Sequence, residues 1–158
     1  MPKNAIDMLK EDHDHVRRLL GQLTGTTSRA AKTRGDLLKK IGTEIRMHTK
    51  LEEEIIYPAF REANGAKHQK MFFEAKEEHR VVDALVLPDL QKTDPQSDSF
   101  SGRAKVLKEL IEHHAEEEEQ EMFPEAQKSL SSEELEALAE RMAQRKKELK
   151  QELKQELQ

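Results

Sequence analysis

The sequence predicts an all-α protein, an up-down-up-down four-helix bundle followed by an additional C-terminal helix. Its composition is typical of helical bundles, with 37% charged residues, no Trp, and only six Gly and five Pro among 158 residues. Apolar residues recur three and four positions apart along four segments, and no segment alternates with the period of a strand. The two halves of the chain also repeat one pattern of polar residues, which predicts two similar helix pairs facing each other.

The first two helices are delimited by capping and turn residues. Asn4 is a suitable N-cap for the first helix, which we expect to end in the polar stretch 24–28. The second helix is predicted over about residues 35–60, before the turn at Asn64-Gly65. The positions expected to face the core are Ile6, Leu9, His13, Val16, Leu20 and Leu23 in the first helix, and Leu38, Ile41, Ile45, His48, Glu52 and Ile55 in the second.

The third and fourth helices are separated by a polar linker over residues 93–99. We expect the third helix over about residues 67–86, with Pro88 and Pro95 helping to end it. The positions expected to face the core are Phe72, Ala75, His79, Val82 and Val86 in the third helix, and Phe100, Ala104, Leu107, Ile111, His114, Glu118 and Met122 in the fourth.

The C-terminal segment reads as a separate helix that begins with a capping box at Ser131 and Glu134. We therefore divide the chain into a bundle, residues 1–130, and a helical tail, residues 131–158. Beyond residue 146 the apolar stripe narrows to every fourth position, at Leu149, Leu153 and Leu157. We expect this part to be a solvent-exposed helix, with self-association or a partner contact through a short coiled coil as the alternative.

Six residues recur at a constant separation of 66 positions. The matching pairs are His13 with His79, His48 with His114, Glu52 with Glu118, Glu53 with Glu119, Pro58 with Pro124, and Tyr57 with Phe123. Six of these polar residues, His13, His48, Glu52, His79, His114 and Glu118, fall on the otherwise apolar stripes of the four helices. An unpaired carboxylate at a core position is destabilising by several kcal/mol or more, so these groups need a common partner.

A metal centre supplies that partner. Within each His-x-x-x-Glu the two side chains lie ~40° apart around the helix and ~6 Å apart along it, so both reach one interior point. Imidazole with carboxylate suits iron, manganese or zinc. Because zinc usually takes four ligands, six side chains with two potential bridges favour a two-metal site. The Glu-x-x-His spacing of ferritin-like di-metal bundles and the HExxH pattern are both absent from the sequence.

Other residues near the site have less specific interpretations. The remaining histidines, His15, His68 and His113, lie off the apolar stripes and are not expected to be ligands. Glu53 and Glu119 either orient a liganding imidazole from outside or form an ion-paired rim. Tyr57 is expected in the core, and its hydroxyl group either stays there or reaches the metal pocket. Pro58 and Pro124 should kink or end their helices.

Four segments, EDHDHVRRLL, HTKLEEEIIYP, EEHRVV and HHAEEEEQEMFP, resemble the signature segments of hemerythrin-like proteins, the HHE cation-binding family. The resemblance covers roughly residues 4–128 in the order of the family. It implies a bundle around a non-haem di-iron centre, in which His13, His48, His79 and His114 bind iron and Glu52 and Glu118 bridge the ions. Oxygen-carrying hemerythrins use five histidines, so the four here are closer to bacterial-type members with more open iron sites.

Composition limits the other function classes. The net charge of −5 disfavours nucleic acid as a partner, and no apolar run approaches the ~20 residues of a membrane span. The absence of cysteine excludes disulfides, iron–sulfur clusters and thiol nucleophiles. The first residues lack the apolar region of a secretory signal, so we expect a cytoplasmic protein.

Three functions are compatible with the pattern. We favour a di-iron protein that binds oxygen, nitric oxide or hydrogen peroxide at two iron ions, which become oxo- or hydroxo-bridged on oxidation. Binding is preferred to catalytic turnover because no reductase or substrate domain is evident in the sequence. The alternatives are an iron or oxygen sensor or metal-storage module without turnover, and a structural bundle held together by zinc.

Overall fold

The computed structural model describes residues 3–64 and 69–156. In these residues it forms five helices, which confirms the predicted all-α bundle with an extra C-terminal helix. Three of the helices consist of consecutive segments, the middle one being a π-helical turn. The bounds are Ala5–Thr24 for α1; Ala31–Leu51, Glu52–Ile56 and Tyr57–Asn64 for α2; Gln69–Val81, Val82–Val86 and Leu87–Gln91 for α3; Asp98–Glu117, Glu118–Met122 and Phe123–Ser129 for α4; and Ser132–Glu156 for α5.

The predicted caps form as hydrogen-bonded boxes. The Asn4 side chain accepts from the backbone N–H of Asp7 at 2.9 Å, and the Asp7 carboxylate accepts from the backbone N–H of Asn4 at 3.2 Å. Ser131 and Glu134 exchange the same two bonds, each at 3.1 Å, at the start of α5. These bonds satisfy donors that a helix N-terminus otherwise leaves unpaired. At the predicted Asn64-Gly65 turn, Gly65 and the nearby His68 lie outside the described residues.

The three π-helical turns all end one residue before Tyr57, Leu87 or Phe123, each of which precedes a proline. In each turn the residue before the proline donates its N–H to the carbonyl five positions back, for example Tyr57 to Glu52. The wider turn accommodates a proline ring, which has no N–H to donate and would clash with the carbonyl four positions back in a regular helix. The expectation that Pro58, Pro88 or Pro124 ends its helix is therefore wrong, because α2, α3 and α4 continue past them, although a π-helical turn interrupts the α-helical pattern before each proline.

The core is divided into two apolar clusters, and the predicted polar positions separate them along each bundle helix. One cluster holds Leu9, Ile55, Ala75 and Met122 with much of α5, and the other holds Val16, Ile45, Val82 and Leu107. Along α1, for example, His13 lies between members of the two clusters. A polar layer at mid-height is therefore enclosed by hydrocarbon above and below.

The C-terminal helix α5 packs on α1 and α2, contrary to the expectation that its last part is exposed. Leu149 and Leu153 are 0% and 6% exposed and belong to the same cluster as Met47 and Leu51 of α2. A stripe too narrow to stabilise a free helix is sufficient here because two neighbouring helices offer it apolar surface. Leu157 lies outside the described residues. No helix in the described part of the chain is long and apolar enough to cross a membrane.

Candidate metal centre

The structure brings the six predicted residues together in the polar layer. Each residue lies on the core-facing stripe predicted for its helix, and Glu52 and Glu118 occupy the first position of their π-helical turns. Glu52 and Glu118 are 0% and 1% exposed, and the histidines are buried except His48, whose side chain is 13% exposed. The predicted positions therefore form one enclosed cluster of imidazoles and carboxylates.

The histidines form two pairs. The ring centroids of His13 and His48 lie 5.0 Å apart, and those of His79 and His114 lie 4.7 Å apart. Within the second pair the two Nε2 atoms are separated by 3.1 Å. Each pair joins one histidine from a His-x-x-x-Glu segment with one from a helix that contributes no glutamate to the six predicted residues.

The two glutamates lie between the histidine pairs. Glu118 Oε1 is 3.1 Å from His13 Nε2 and 3.4 Å from His114 Nε2. Glu52 Oε1 is 3.4 Å from His48 Nε2 and 3.0 Å from His79 Nε2. Each carboxylate thus reaches both pairs, which is the arrangement required of a ligand that bridges two ions.

Unsatisfied polar atoms show that the donor set fits a metal. Among the described residues, His48 Nε2 and Glu52 Oε2 are buried without a hydrogen-bond partner. Potential ligand atoms of His13, His48, Glu52 and Glu118 lie within 4.8 Å of one another, as do those of Glu52, His79 and His114. Buried polar atoms left without partners are destabilising, and coordination to a cation would satisfy them.

A carboxylate lies behind the outer nitrogen of every histidine in the cluster. The Nδ1 atoms are 2.9 Å from Glu119 for His13, 3.2 Å from Asp12 for His48, 3.5 Å from Glu53 for His79 and 2.9 Å from Glu78 for His114. A carboxylate in this position directs Nε2 inward and makes the imidazole a stronger metal ligand. For Glu119 the geometry supports both open interpretations, since it is hydrogen-bonded to His13 and ion-paired with Arg17 at 3.0 Å. Glu53 makes no hydrogen bond to His79, whose Nδ1 is buried without a hydrogen-bond partner.

Asp12 and Glu78 were missed by the sequence reasoning. The signal was present, because the two acidic residues are themselves 66 positions apart and each directly precedes a predicted ligand. Each orients a histidine on a different helix rather than its own neighbour, and sequence spacing does not reveal such a cross-helix contact. The arrangement follows the repeat: Asp12 with His48 corresponds to Glu78 with His114.

The electrostatics of the cluster favour protons when no cation is bound. Burial opposes protonation of His48, but the charge of Glu52 and the hydrogen bond to Asp12 raise its pKa from 6.5 to about 10. The pKa values of His13 and His114 are raised by the same kind of carboxylate contact against the effect of burial. Burial raises the pKa of Glu118, and the adjacent charge of Glu52 raises it further. A metal ion bound here would therefore compete with protons for the same atoms.

Tyr57, the single tyrosine of the chain, makes the two halves of the cluster different. Its hydroxyl group donates to Glu118 Oε2 at 2.8 Å and lies 3.4 Å from the Nε2 atoms of His79 and His114. Its ring stacks on His79, whereas its repeat counterpart Phe123 stacks on His13 without a hydroxyl group. The hydroxyl of Tyr57 thus lies inside the cluster, at the His79–His114 pair.

A cavity of about 250 Å³ adjoins the four histidines. Apolar side chains, including Val16, Ile45, Val82 and Leu110, form much of its wall. Three acidic residues of α3, Glu74, Glu77 and Glu78, also line it. The space admits a small molecule to the imidazoles while the surrounding hydrocarbon limits the access of water.

His15 and His113 lie outside the cluster, at the positions the sequence suggested. His15 is close to Glu44, with 3.8 Å between Nε2 and Oε1. His113 is 61% exposed and pairs with Glu117 at 3.0 Å.

Comparison with known proteins places this cluster in a defined family. The sequence profile of the hemerythrin HHE cation-binding domain matches residues 4–126. The crystal structure of an HHE cation-binding domain-containing protein from Mycobacterium kansasii superposes with a TM-score of 0.79 at 29% identity, covering 93% of this chain and 87% of that one.

Curated relatives include proteins of different length. The Mycobacterium tuberculosis protein Rv2633c is 30% identical over 122 residues, which are 77% of this chain and 71% of that protein. A DNA nickase from Nostoc is 26% identical over 137 residues, and this chain spans only 37% of its length. The profile match and the mycobacterial relative, together with the geometry of the cluster, show that the chain belongs to the hemerythrin HHE cation-binding domain family.

Proposed function

We propose that the chain is a non-haem di-iron protein that binds a small diatomic or peroxide ligand, namely oxygen, nitric oxide or hydrogen peroxide. The observation that carries the proposal is the placement of Glu52 and Glu118 between two histidine pairs. One ion would be held by His13 and His48 and the other by His79 and His114, with both carboxylates bridging. Residues 1–130 would form the metal-binding bundle and residues 131–158 its appended helix.

The donor set leaves room for a ligand. Four imidazole nitrogens and two bridging carboxylates provide fewer donors than the roughly twelve positions of two octahedral ions. Iron in such a site supplies open coordination positions and electrons for small-molecule binding. The cavity beside the histidines provides a matching space lined mainly by apolar groups.

Tyr57 is placed to donate a hydrogen bond to a small ligand bound at the centre. Its hydroxyl group, now donating to Glu118, points between His79 and His114. Burial and the charges of Glu118 and Glu52 raise its pKa well above 10, so the phenol keeps its proton. A protonated phenol at this point can donate a hydrogen bond to a bound ligand that carries negative charge.

A sensing role is the second candidate, and α5 supports it. Lys146 of α5 donates to Asp12 at 3.0 Å, and Asp12 lies behind His48 at 3.2 Å. A movement of His48 on metal or ligand binding would therefore shift Asp12 and Lys146, and with them α5, which is separate from the four bundle helices. In that case a partner protein would bind α5 with an affinity that depends on the position of this helix.

The ultraviolet–visible spectrum tests the proposed function. The protein is loaded with ferrous iron without oxygen, and the spectrum is recorded before and after exposure to air and, separately, to nitric oxide. We expect new near-ultraviolet absorption after air and a distinct spectrum with nitric oxide, neither of which the metal-depleted protein should give. A loaded protein whose spectrum changes with neither gas contradicts small-molecule binding and leaves a structural or storage role.

A further inference from the structure

The internal repeat defines two equivalent outer approaches to the metal centre, one behind His48 and one behind His114. On the first approach Asp12 lies behind the histidine, and Met47 and Leu51 flank it. Here Met47 and Leu51 are buried in the cluster that includes α5. Lys146 neutralises Asp12 at 3.0 Å. This side of the centre is covered and its carboxylate is paired.

The second approach carries different chemistry at the equivalent positions. Sixty-six residues after Asp12, Met47 and Leu51 the chain has Glu78, His113 and Glu117. His113 Nε2 lies 3.0 Å from Glu117 Oε1 and 3.6 Å from Glu78 Oε2. One potential ligand atom from each of the three lies within 4.8 Å of the others. Where the first approach has hydrocarbon, the second has an imidazole and a carboxylate open to solvent.

Glu78 connects this surface group to the buried centre. Its Oε1 atom accepts from His114 Nδ1 at 2.9 Å, while Oε2 faces His113 at 3.6 Å. Glu78 also lines the cavity that reaches the four histidines, as do Glu74 and Glu77 of the same helix. The surface group and the centre therefore share Glu78, which borders the cavity, whereas His113 and Glu117 lie outside the cavity lining.

The charge around the group favours a cation. Glu117 interacts electrostatically with the like charges of Glu74, Glu78 and Glu121. Within the described part of the chain, no Lys or Arg nitrogen lies within 4.0 Å of a carboxylate oxygen of Glu78 or Glu117. A concentrated negative field raises the local concentration of divalent cations and their rate of association.

We propose that Glu78, His113 and Glu117 form a capture site for a divalent cation, which passes from there through the cavity to the buried centre. The inference rests on the proposed two-metal function. One imidazole and two carboxylates on the surface bind a borderline divalent ion weakly and exchange it quickly, as an entry site requires. The site should therefore govern the rate of metal uptake and leave the final occupancy of the centre unchanged.

Cobalt(II) uptake by the metal-depleted full chain tests the proposal, because centre-bound cobalt absorbs visible light. The initial rate is followed by stopped flow, and the bound cobalt per chain is measured at the end. We expect His113→Ala and Glu117→Gln each to slow uptake, and the double variant to slow it about tenfold or more. Final occupancy should stay at the wild-type value.

The matched control is His15→Ala, which removes another surface histidine near a glutamate, on the α1 side of the molecule. It should take up cobalt at the wild-type rate. Since His113→Ala removes no negative charge, slower uptake by that variant identifies ligation rather than a general loss of field.

Two results overturn the capture site alone. One is unchanged uptake rates in all variants, and the other is a loss of final occupancy in His113→Ala, which would make His113 a ligand of the centre. Failure of the two-metal centre on which the inference rests looks different, because the wild-type protein would then bind fewer than two cobalt ions per chain at the end of uptake.

Discussion

At the scale of single residues, the centre is built from pairs of consecutive residues. One residue of each pair faces the cluster, and the other lies behind a histidine of a different helix. His13, Glu52, His79 and Glu118 each face the cluster, while the neighbours Asp12, Glu53, Glu78 and Glu119 each lie behind a histidine of another helix. Consecutive residues on a helix point about 100° apart. One residue of each pair can therefore face the interior while the next reaches the adjacent helix and fixes an imidazole there.

The raised pKa of His48 predicts an unusual dependence of stability on pH in the metal-free protein. A pKa raised from 6.5 to about 10 in the folded state contributes stability that is fully present below pH 6.5 and is lost as the pH rises through 10. We expect the free energy of unfolding of the metal-free protein to fall by an amount on the order of a few kcal/mol between pH 7 and 10. Urea unfolding at both pH values, with a chelator present, measures the difference.

The metal-loaded protein should behave in the opposite sense. Coordination requires neutral imidazoles, so loading should weaken as the pH falls through the histidine range. His48→Gln is the control for the metal-free measurement, because it removes one titrating group and should reduce the difference between pH 7 and 10, leaving the part that comes from His13 and His114. An identical pH dependence in wild type and His48→Gln would show that this imidazole is not stabilised in its protonated form.

The sequence identified those residues of the cluster that are polar but occupy positions expected to be buried. His13 and Glu118 stand out because a charged or polar group on an apolar stripe requires a partner. Glu78 gave no such conflict, since a glutamate at a helix surface needs no explanation. Its contact with His114 depends on how α3 and α4 are rotated against each other, and helix periodicity alone does not determine that rotation.

At the scale of helices, proline controls the geometry of the liganding segments. Glu52 and Glu118 open π-helical turns that end just before Tyr57-Pro58 and Phe123-Pro124. The extra residue in such a turn changes the rotation between the liganding histidine and the residues that follow the proline. Sequence rules identify proline as a helix breaker but do not state that the helix will widen and continue, which is why the helix ends were predicted too early.

The part of α5 beyond residue 146 was also misjudged, for a related reason. Leu149 and Leu153 alone bury too little surface to stabilise an isolated helix. The stability comes from the surface of α1 and α2, and two polar contacts add to it: Arg145 with Glu54 at 2.7 Å and Lys146 with Asp12 at 3.0 Å. Only the second contact reaches a residue that touches the metal centre.

Replacement of Lys146 should therefore affect the metal centre from a distance. In Lys146→Gln the carboxylate of Asp12 loses its cation, and His48 loses a fixed orientation. We expect metal affinity to fall by roughly tenfold, the lower range for changes behind a ligand. Competition with a chromophoric chelator measures it.

The adjacent Arg145→Gln provides the comparison. It loosens α5 by removing the contact with Glu54 but leaves Asp12 untouched. Its metal affinity should stay within about twofold of wild type, well short of the change expected on loss of an orienting contact. Equal losses in both variants would mean that docking of α5, and not the Lys146–Asp12–His48 connection, supports the centre.

At the scale of the whole molecule, the internal repeat produces an approximate two-fold arrangement that later parts of the chain break. Both repeats supply two histidines and a glutamate to the cluster, together with two carboxylates behind the histidines. Tyr57 against Phe123 distinguishes the inner faces, and α5 covers one outer approach while the other carries His113 and Glu117. The centre is therefore nearly symmetric, but its surroundings are not.

The predictable part of the molecule is the symmetric part. Helix periodicity and the 66-residue repeat predicted the bundle and the six residues that meet in it. The docking of α5 and the pairing across helices depend on tertiary contacts between segments distant in sequence, such as Lys146 with Asp12. Local patterns carry no signal for such contacts, so they became visible only in the structure.

The number of iron ions bound per chain decides whether the cluster is a di-iron centre. Protein purified without oxygen is saturated with ferrous iron, freed of excess ion, and analysed for iron and zinc against protein concentration. Because two histidine pairs share two bridging glutamates, we predict saturation at two irons per chain. Saturation at one ion, or retention of zinc alone, would contradict a di-iron centre.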